Sequence, residues 1–313
     1  MVFTAMATFV VGLAVVAAKT GARAGTGLPL VAASAPTVTV SQGGQGGNNG
    51  GTGKQEVAAP VGTWSARPSQ ALNARLTEAL QAALGTRTAH LSVGVADLAT
   101  GAEALFQRGE RYEAGGITRA DILAALLYQY QQSRPAMDST DFGLAAEMIE
   151  SGSRPATATA TASLWKAIGQ GDGLTAANQA LGLTDTTPGP GSAWRRTGTT
   201  AADQLQLLAD LAATRSVLNP ASRACELGLM IRAAAVRPSD PAAAASLGAS
   251  YAVNGGRQAD LPGFVINRLS IIERAGHELL VVVLSRNWPT QAAGRSAVRA
   301  ADAAAVSSMA GTL

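Results

Sequence analysis

The sequence predicts an α/β fold of the α+β kind: one antiparallel sheet flanked by an N-terminal and a C-terminal helix, with an all-helical subdomain inserted between strands 2 and 3. Three observations predict it. Strand-like runs gather in two places, about 91–107 and 251–284, and the stretch between them is helical in pattern. The runs in each place are joined by short turns, which makes neighbouring strands antiparallel. Helical patterns bracket the whole at about 69–84 and 291–309.

Taken in order, Leu72, Leu76, Leu80 and Leu84 recur every four residues and define one face of a helix from Ser69 to Leu84. Leu91–Asp97 reads as a strand, Thr100-Gly101 as its turn and Glu103–Gln107 as the return. Ile117–Gln132 is apolar enough to be a central buried helix. Further helices are expected at Phe142–Glu150, Ala162–Ile168, Ala176–Leu181, Ala201–Ala213 and Pro220–Ala234. Strands return at Tyr251–Asn254, Phe264–Ile272 and Glu278–Leu284, and an Ala-rich helix, Gln291–Met309, closes the chain. There is no internal repeat.

Ahead of this body, residues 1–24 hold an apolar run, Val2–Ala18, then Lys19 and Ala22-Arg23-Ala24, which reads as an export signal peptide or membrane anchor. No Lys or Arg precedes the run, where an export signal ordinarily carries one. Residues 25–65 are rich in Gly, Ser, Thr and Pro and too poor in apolar surface to offset their ordering entropy; they read as a disordered linker. The folded domain is expected over 66–313, with its helical subdomain at about 135–215.

Composition subtracts functions. The 313 residues carry 24 Lys plus Arg against 21 Asp plus Glu, a net of +3. Lys19, Arg23 and Lys54 against Glu56 place two of those charges ahead of the body, leaving it nearly neutral, with no electrostatic claim on nucleic acid. No glycine-rich phosphate loop stands between a strand and a helix, so nucleotide binding by that route is excluded. Cys225 is the one cysteine and reads as a buried, inert thiol; His90 and His277 lie far apart, and no metal site or cofactor is implied.

The order and spacing of several segments resembles a known family. Leu91–Asp97 with Thr100-Gly101, Ala120–Leu127, Met148-Ile149-Glu150, Ala162–Trp165, Leu181–Thr184, Thr197–Leu205, Ser222–Met230 and Leu280–Ser285 together look like a class A β-lactamase or penicillin-recognising serine hydrolase of exported actinobacterial type, over roughly residues 70–310. The resemblance implies a β-lactamase-like fold, an extracytoplasmic place, and a cell-wall peptide or β-lactam-like ligand.

It also implies a catalytic set, and this sequence departs from it. The family's serine and the lysine three residues on, which share a helix face so that the amine can take the serine proton, correspond to Gly116 and Arg119. Glycine has no nucleophile, and a guanidinium with a pKa above about 12 is no base near neutrality. The Ser-Asp-Asn element corresponds to Gly152-Ser153-Arg154, and the Lys-Thr-Gly element to Val253-Asn254-Gly255, where valine replaces the cation. Leu183–Thr197 offers only Asp185 in place of the deacylating glutamate. Thr118 has a hydroxyl, but two positions on, it points roughly 200° around the helix.

A literal Ser-x-x-Lys does occur at Ser163-Leu164-Trp165-Lys166, and a literal Lys-Thr-Gly at Lys19-Thr20-Gly21, the latter outside any sheet and in the wrong order. The sequence therefore supports two readings: a catalytically inactive binding or scaffolding module for a cell-wall peptide or a partner protein, and an active hydrolase relocated to Ser163/Lys166, with Ser153 a second candidate nucleophile. Among other residues, His277 reads as a strand-edge residue without an acidic partner, Arg195-Arg196 beside Trp194 as a solvated loop, and Trp165 as helix packing. The only membrane contact expected is through the N-terminal segment.

Overall fold

In a computed structural model, residues 64–133, 136–151, 155–236, 250–253 and 263–310 are described, all inside one unit spanning Val57–Leu313. The leucine stripe forms helix α1 (Gln70–Leu84), and Ser69 caps it by accepting the Leu72 N–H. All four leucines are at most 5% exposed, each contributing roughly 1.5–3 kcal/mol by burial. They pack on α8 (Gln291–Ser308), capped in the same way by Thr290, so the two outermost helices share one face of the sheet.

The sheet has six strands in the order β1-β3-β2-β8-β7-β6. β2 (Leu91–Asp97) and β3 (Ala102–Phe106) form the first hairpin; β7 (Asn267–Arg274) and β8 (His277–Ser285) form the second. β2 and β8 join them in the middle, with Leu91 opposite Ser285 and Asp97 opposite Leu279. β6 (Ser250–Val253) closes the far edge on β7. One pairing departs from the expected all-antiparallel sheet. β1 (Arg67–Pro68) runs parallel to β3, because the chain entering α1 passes along that edge for two residues before turning.

β8 is apolar almost throughout because it is covered on both sides. Leu279, Val281 and Val283 face α1 and α8, while Leu280, Val282 and Leu284 face the inserted helices. The helices between the two halves of the sheet are α2 (Thr118–Ser133), α3 (Ser139–Glu150), α4 (Pro155–Ala167), α5 (Gln170–Leu181), α6 (Ala201–Ala212) and α7 (Pro220–Val236). A second, two-stranded sheet, β4 (Tyr112–Glu113) with β5 (Gly198–Thr199), interrupts them and was not expected. α6 lies directly on the main sheet. A Cβ on Gly94 of β2 would stand 2.7 Å from Leu205 Cδ1, so any side chain there would force Leu205 to shift.

Three further expectations are corrected. α4 begins at Pro155, not Ala162: proline suits the first helical position, and the Ala-Thr alternation that follows folds as helix with Thr157 and Thr161 inward. Phe264–Ile266 is not strand; β7 starts at Asn267, and Phe264 forms an isolated bridge with Trp288. Cys225 is half-buried, its thiol raised by burial and by Glu226. The expected leader, and the expected linker up to residue 63, lie outside the described residues; Trp64, at the linker's end, packs against the core. Among the described residues no helix is long and apolar enough to cross a membrane.

Candidate functional site

β4 leads through a 3-10 turn, Gly115–Ile117, into α2, and this turn is held from three sides. Asn267, first residue of β7, donates from Nδ2 to the Glu113 and Ala114 carbonyls at 2.8 and 2.9 Å, and accepts the Ser285 N–H at 2.8 Å. The Ala114 N–H donates to the Thr197 carbonyl. Gly115 has φ +58°, a left-handed conformation that favours glycine. β6 and β7 both pack against the turn.

The structure thus brings three of the sequence-singled residues to one place. Gly116 is half-buried in the turn. Arg119, one turn into α2, is 5% exposed, and its guanidinium carbon sits 5.6 Å from the ring centre of Trp194. Val253 ends β6 opposite Asn267, next to the same turn. Gly152, Ser153, Arg154, Asn254 and Gly255 lie outside the described residues. Thr118 is fully buried and takes no part in this surface.

Trp194, itself 5% exposed, belongs to a second 3-10 turn, Trp194–Arg196, packed on the first. Arg195 covers the ring at 4.3 Å; burial, with Arg119 as a second cation nearby, lowers its pKa. Arg196 approaches Glu113 at 3.9 Å. Both arginines are exposed, as a solvated loop requires, and each also has a partner, the ring for Arg195 and the carboxylate for Arg196. The preceding loop is tied down by Asp203 of α6, whose Oδ2 accepts the Asp185 N–H at 2.8 Å and the Thr186 hydroxyl at 2.7 Å. Asp185 points outward and pairs with Arg111 at 3.0 Å.

Ser163 and Lys166 are both exposed on α4, while Leu164 and Trp165 between them are buried and α4 packs on α2, α3 and α5. Trp165 is 1% exposed, and its indole N–H donates to the Gly191 carbonyl at 2.8 Å.

His277 has an acidic partner after all: Nδ1 lies 2.9 Å from Asp97 Oδ2. The β2–β8 register joins these residues, 180 apart in sequence, at the end of the sheet away from Asn267. Burial alone would raise Asp97, but the Ala99 N–H, the Thr100 hydroxyl and His277 together hold it below its ordinary value. A depressed carboxylate contributes stability above its unfolded pKa and loses it as pH falls through the folded one. The contribution of Asp97 is expected to be lost below about pH 4, opposite in sign to that of the raised carboxyls, and His277→Ala to lower stability by about 1.5–3 kcal/mol at neutral pH as measured by urea unfolding.

No family model and no curated protein matches the chain by sequence. Solved structures do match. A class A β-lactamase from Bacteroides cellulosilyticus superposes with TM-score 0.62 at 12% identity, covering 77% of this chain and 99% of that one. A β-lactamase from Chitinophaga pinensis gives 0.59 at 15% identity, over 74% and 96%. The chain has a β-lactamase-like fold. The structure of PBP-A, at TM-score 0.59 and 16% identity over 78% and 97%, carries the same likeness to penicillin-binding proteins. Coverage of 96–99% of each neighbour means that nearly the whole of each of those folds has a counterpart in this chain.

Asn267 and Trp194 are the residues of this site that sequence reasoning missed. The signal for Asn267 was a polar residue interrupting the Phe264–Ile272 run; for Trp194 it was an aromatic directly before two arginines in a Gly/Pro-rich loop.

Proposed function

We propose that the chain is a catalytically inactive member of this fold, serving outside the cytoplasm as a binding or scaffolding module of the cell envelope. Its ligand is a cell-wall peptide or β-lactam-like molecule, or a partner protein, held without turnover, and the N-terminal segment exports or anchors it. The observation that carries the reading is Arg119, 5% exposed and set against Trp194 in the place where the fold would keep its proton acceptor. A guanidinium stays charged and accepts no proton. Gly116 offers no oxygen to be activated, and Val253 no charge to hold a substrate carboxylate. The exposed Ser163 and Lys166, on a helix packed away from this turn, add no support for a relocated nucleophile.

The test is acylation. The full chain is incubated with a reporter penicillin and weighed intact, and turnover of a chromogenic β-lactam is followed in parallel. The expected result is an unchanged mass and no turnover, with reversible binding in a titration. A stable covalent adduct, or turnover that disappears in Ser163→Ala, overturns the proposal.

A further inference from the structure

Asp121 and Glu226, on the helical side of the core, are buried carboxyl groups to which no cation is bonded among the described residues. Asp121, on α2 just beyond Arg119, is 1% exposed; Glu226, on α7, is fully buried. One amide serves the cluster. Gln204 of α6 donates from Nε2 to Asp121 Oδ1 at 2.9 Å and to Thr199 Oγ1 at 3.1 Å. Asp121 Oδ2, Gln204 Oε1 and both Glu226 oxygens have no hydrogen-bond partner, and neither has Thr118 Oγ1. Acceptors outnumber donors.

Among the described residues no cation is hydrogen-bonded to them. The charges acting on the pair are negative: Asp203 on Asp121, and Asp121 on Glu226. On α2, Arg119 is turned to Trp194. On α6, Asp203 holds the Asp185–Thr186 loop, and Asp210 bonds to Gln206. On α7, Arg223 Nε has no hydrogen-bond partner, Arg232 pairs with Glu150 of α3, and Cys225 is half-buried. Glu147 of α3 is taken by Ser151 and Thr157. Lys166 of α4 and Asp172 of α5 are exposed. The Gly115–Ile117 turn has no ionisable group, and β6 only Tyr251.

Two ionised carboxylates cannot stay in such a place without a cation or further donors. Protonation removes the charge and turns each carboxyl into a donor, which is what the orphaned oxygens lack. Burial pushes Asp121 up to about 7 despite the Gln204 bond, and burial together with the Asp121 charge raises Glu226 well above the glutamate range.

We propose that Asp121 and Glu226 are a proton-binding site that locks the helical layer, α7 staying packed on α2 and α6 while the pair keeps its protons and separating from them when the protons leave to water. The closed state binds more protons than the open one, so closure is strongest below the ordinary carboxylate range and is lost as pH rises toward and past about 7. Gln204 also holds Thr199 of β5, the partner of β4, so the loosening reaches the turn that carries Gly116.

The experiment uses the full chain, with Asp121→Asn, Glu226→Gln and the double variant. Infrared spectra report the C=O stretch of a protonated carboxyl, and amide hydrogen exchange reports α7. Expected for the parent chain is a protonated-carboxyl band below neutrality that fades as pH rises. Protection of α7, corrected for the intrinsic rate, should fall by about tenfold per pH unit for each proton released. Both signals are expected to disappear in the double variant, and to be halved in Asp121→Asn alone should Glu226→Gln fail to fold. Absence of the band in the parent, or α7 protection independent of pH, overturns the proposal. So does stabilisation of the parent, but not of the double variant, by calcium or sodium chloride, which would make the occupant a cation.

Discussion

Replacing Trp194 by alanine is expected to lower the unfolding free energy by about 3–5 kcal/mol, the range for emptying a buried aromatic site. The ring is 5% exposed and lies between the two turns of the candidate site, with the Arg119 and Arg195 guanidiniums at 5.6 and 4.3 Å from its centre. Its loss removes packing and also a face on which a nearly buried cation rests, worth about 0.5–2 kcal/mol by itself. Denaturant midpoints of Trp194→Ala and Trp194→Phe, each with and without Arg119→Met, separate the two contributions. Phenylalanine should recover more than half the loss, and Arg119→Met should cost less in the alanine background than in the parent. Equal costs in both backgrounds would mean that ring and cation are not coupled.

The second large effect concerns one helix glycine. Alanine for glycine inside an exposed helix ordinarily stabilises by up to about 1 kcal/mol. Gly173→Ala is expected to do the reverse and cost about 2–3 kcal/mol, because the new methyl group would be driven into the backbone carbonyl of Ile168. That carbonyl cannot retreat freely, since Gln129 of α2 donates to it at 2.8 Å. Gly143 on α3 is the control: nothing stands within 4 Å of the Cβ position, so Gly143→Ala should raise the thermal midpoint where Gly173→Ala lowers it. Midpoints that move the same way would refute the steric account.

How much of this was legible beforehand follows from the range of the interactions. The four leucines of α1, the β2–β3 hairpin and the continuous burial of α2 are local patterns, and the structure has them within a residue or two. β4 and β5 are two residues each, too short for any alternation to be visible. The start of α4 was obscured because Ala-Thr alternation has the period of a strand, while here Thr159 and Thr161 bond to the carbonyls four residues back, as helix hydroxyls do. The Asp97–His277 pair and the Asn267 clamp depend on strand register between distant segments, which no single stretch encodes. At the candidate site, the replacement of serine and lysine by Gly116 and Arg119 could be read directly, whereas the ring that Arg119 rests on could not. Asp121 and Glu226 left a trace, an acid inside an otherwise apolar helix face, but what surrounds them is set by α6 and α7 crossing α2.

The central strand β2 carries a consequence for how the chain is made. It is flanked by β3, a few residues away in sequence, and by β8, whose pairing residues are 279–285. α1 likewise has as its packing partner the last helix of the chain. During synthesis the first half of the sheet therefore waits with one edge open and one face uncovered until residues 279–308 have emerged. Closure of loops this long dominates the folding barrier and makes the reaction slow. Nascent chains should thus stay sensitive to protease until residues 279–308 have left the ribosome, and a truncation lacking 291–313 should never acquire resistance.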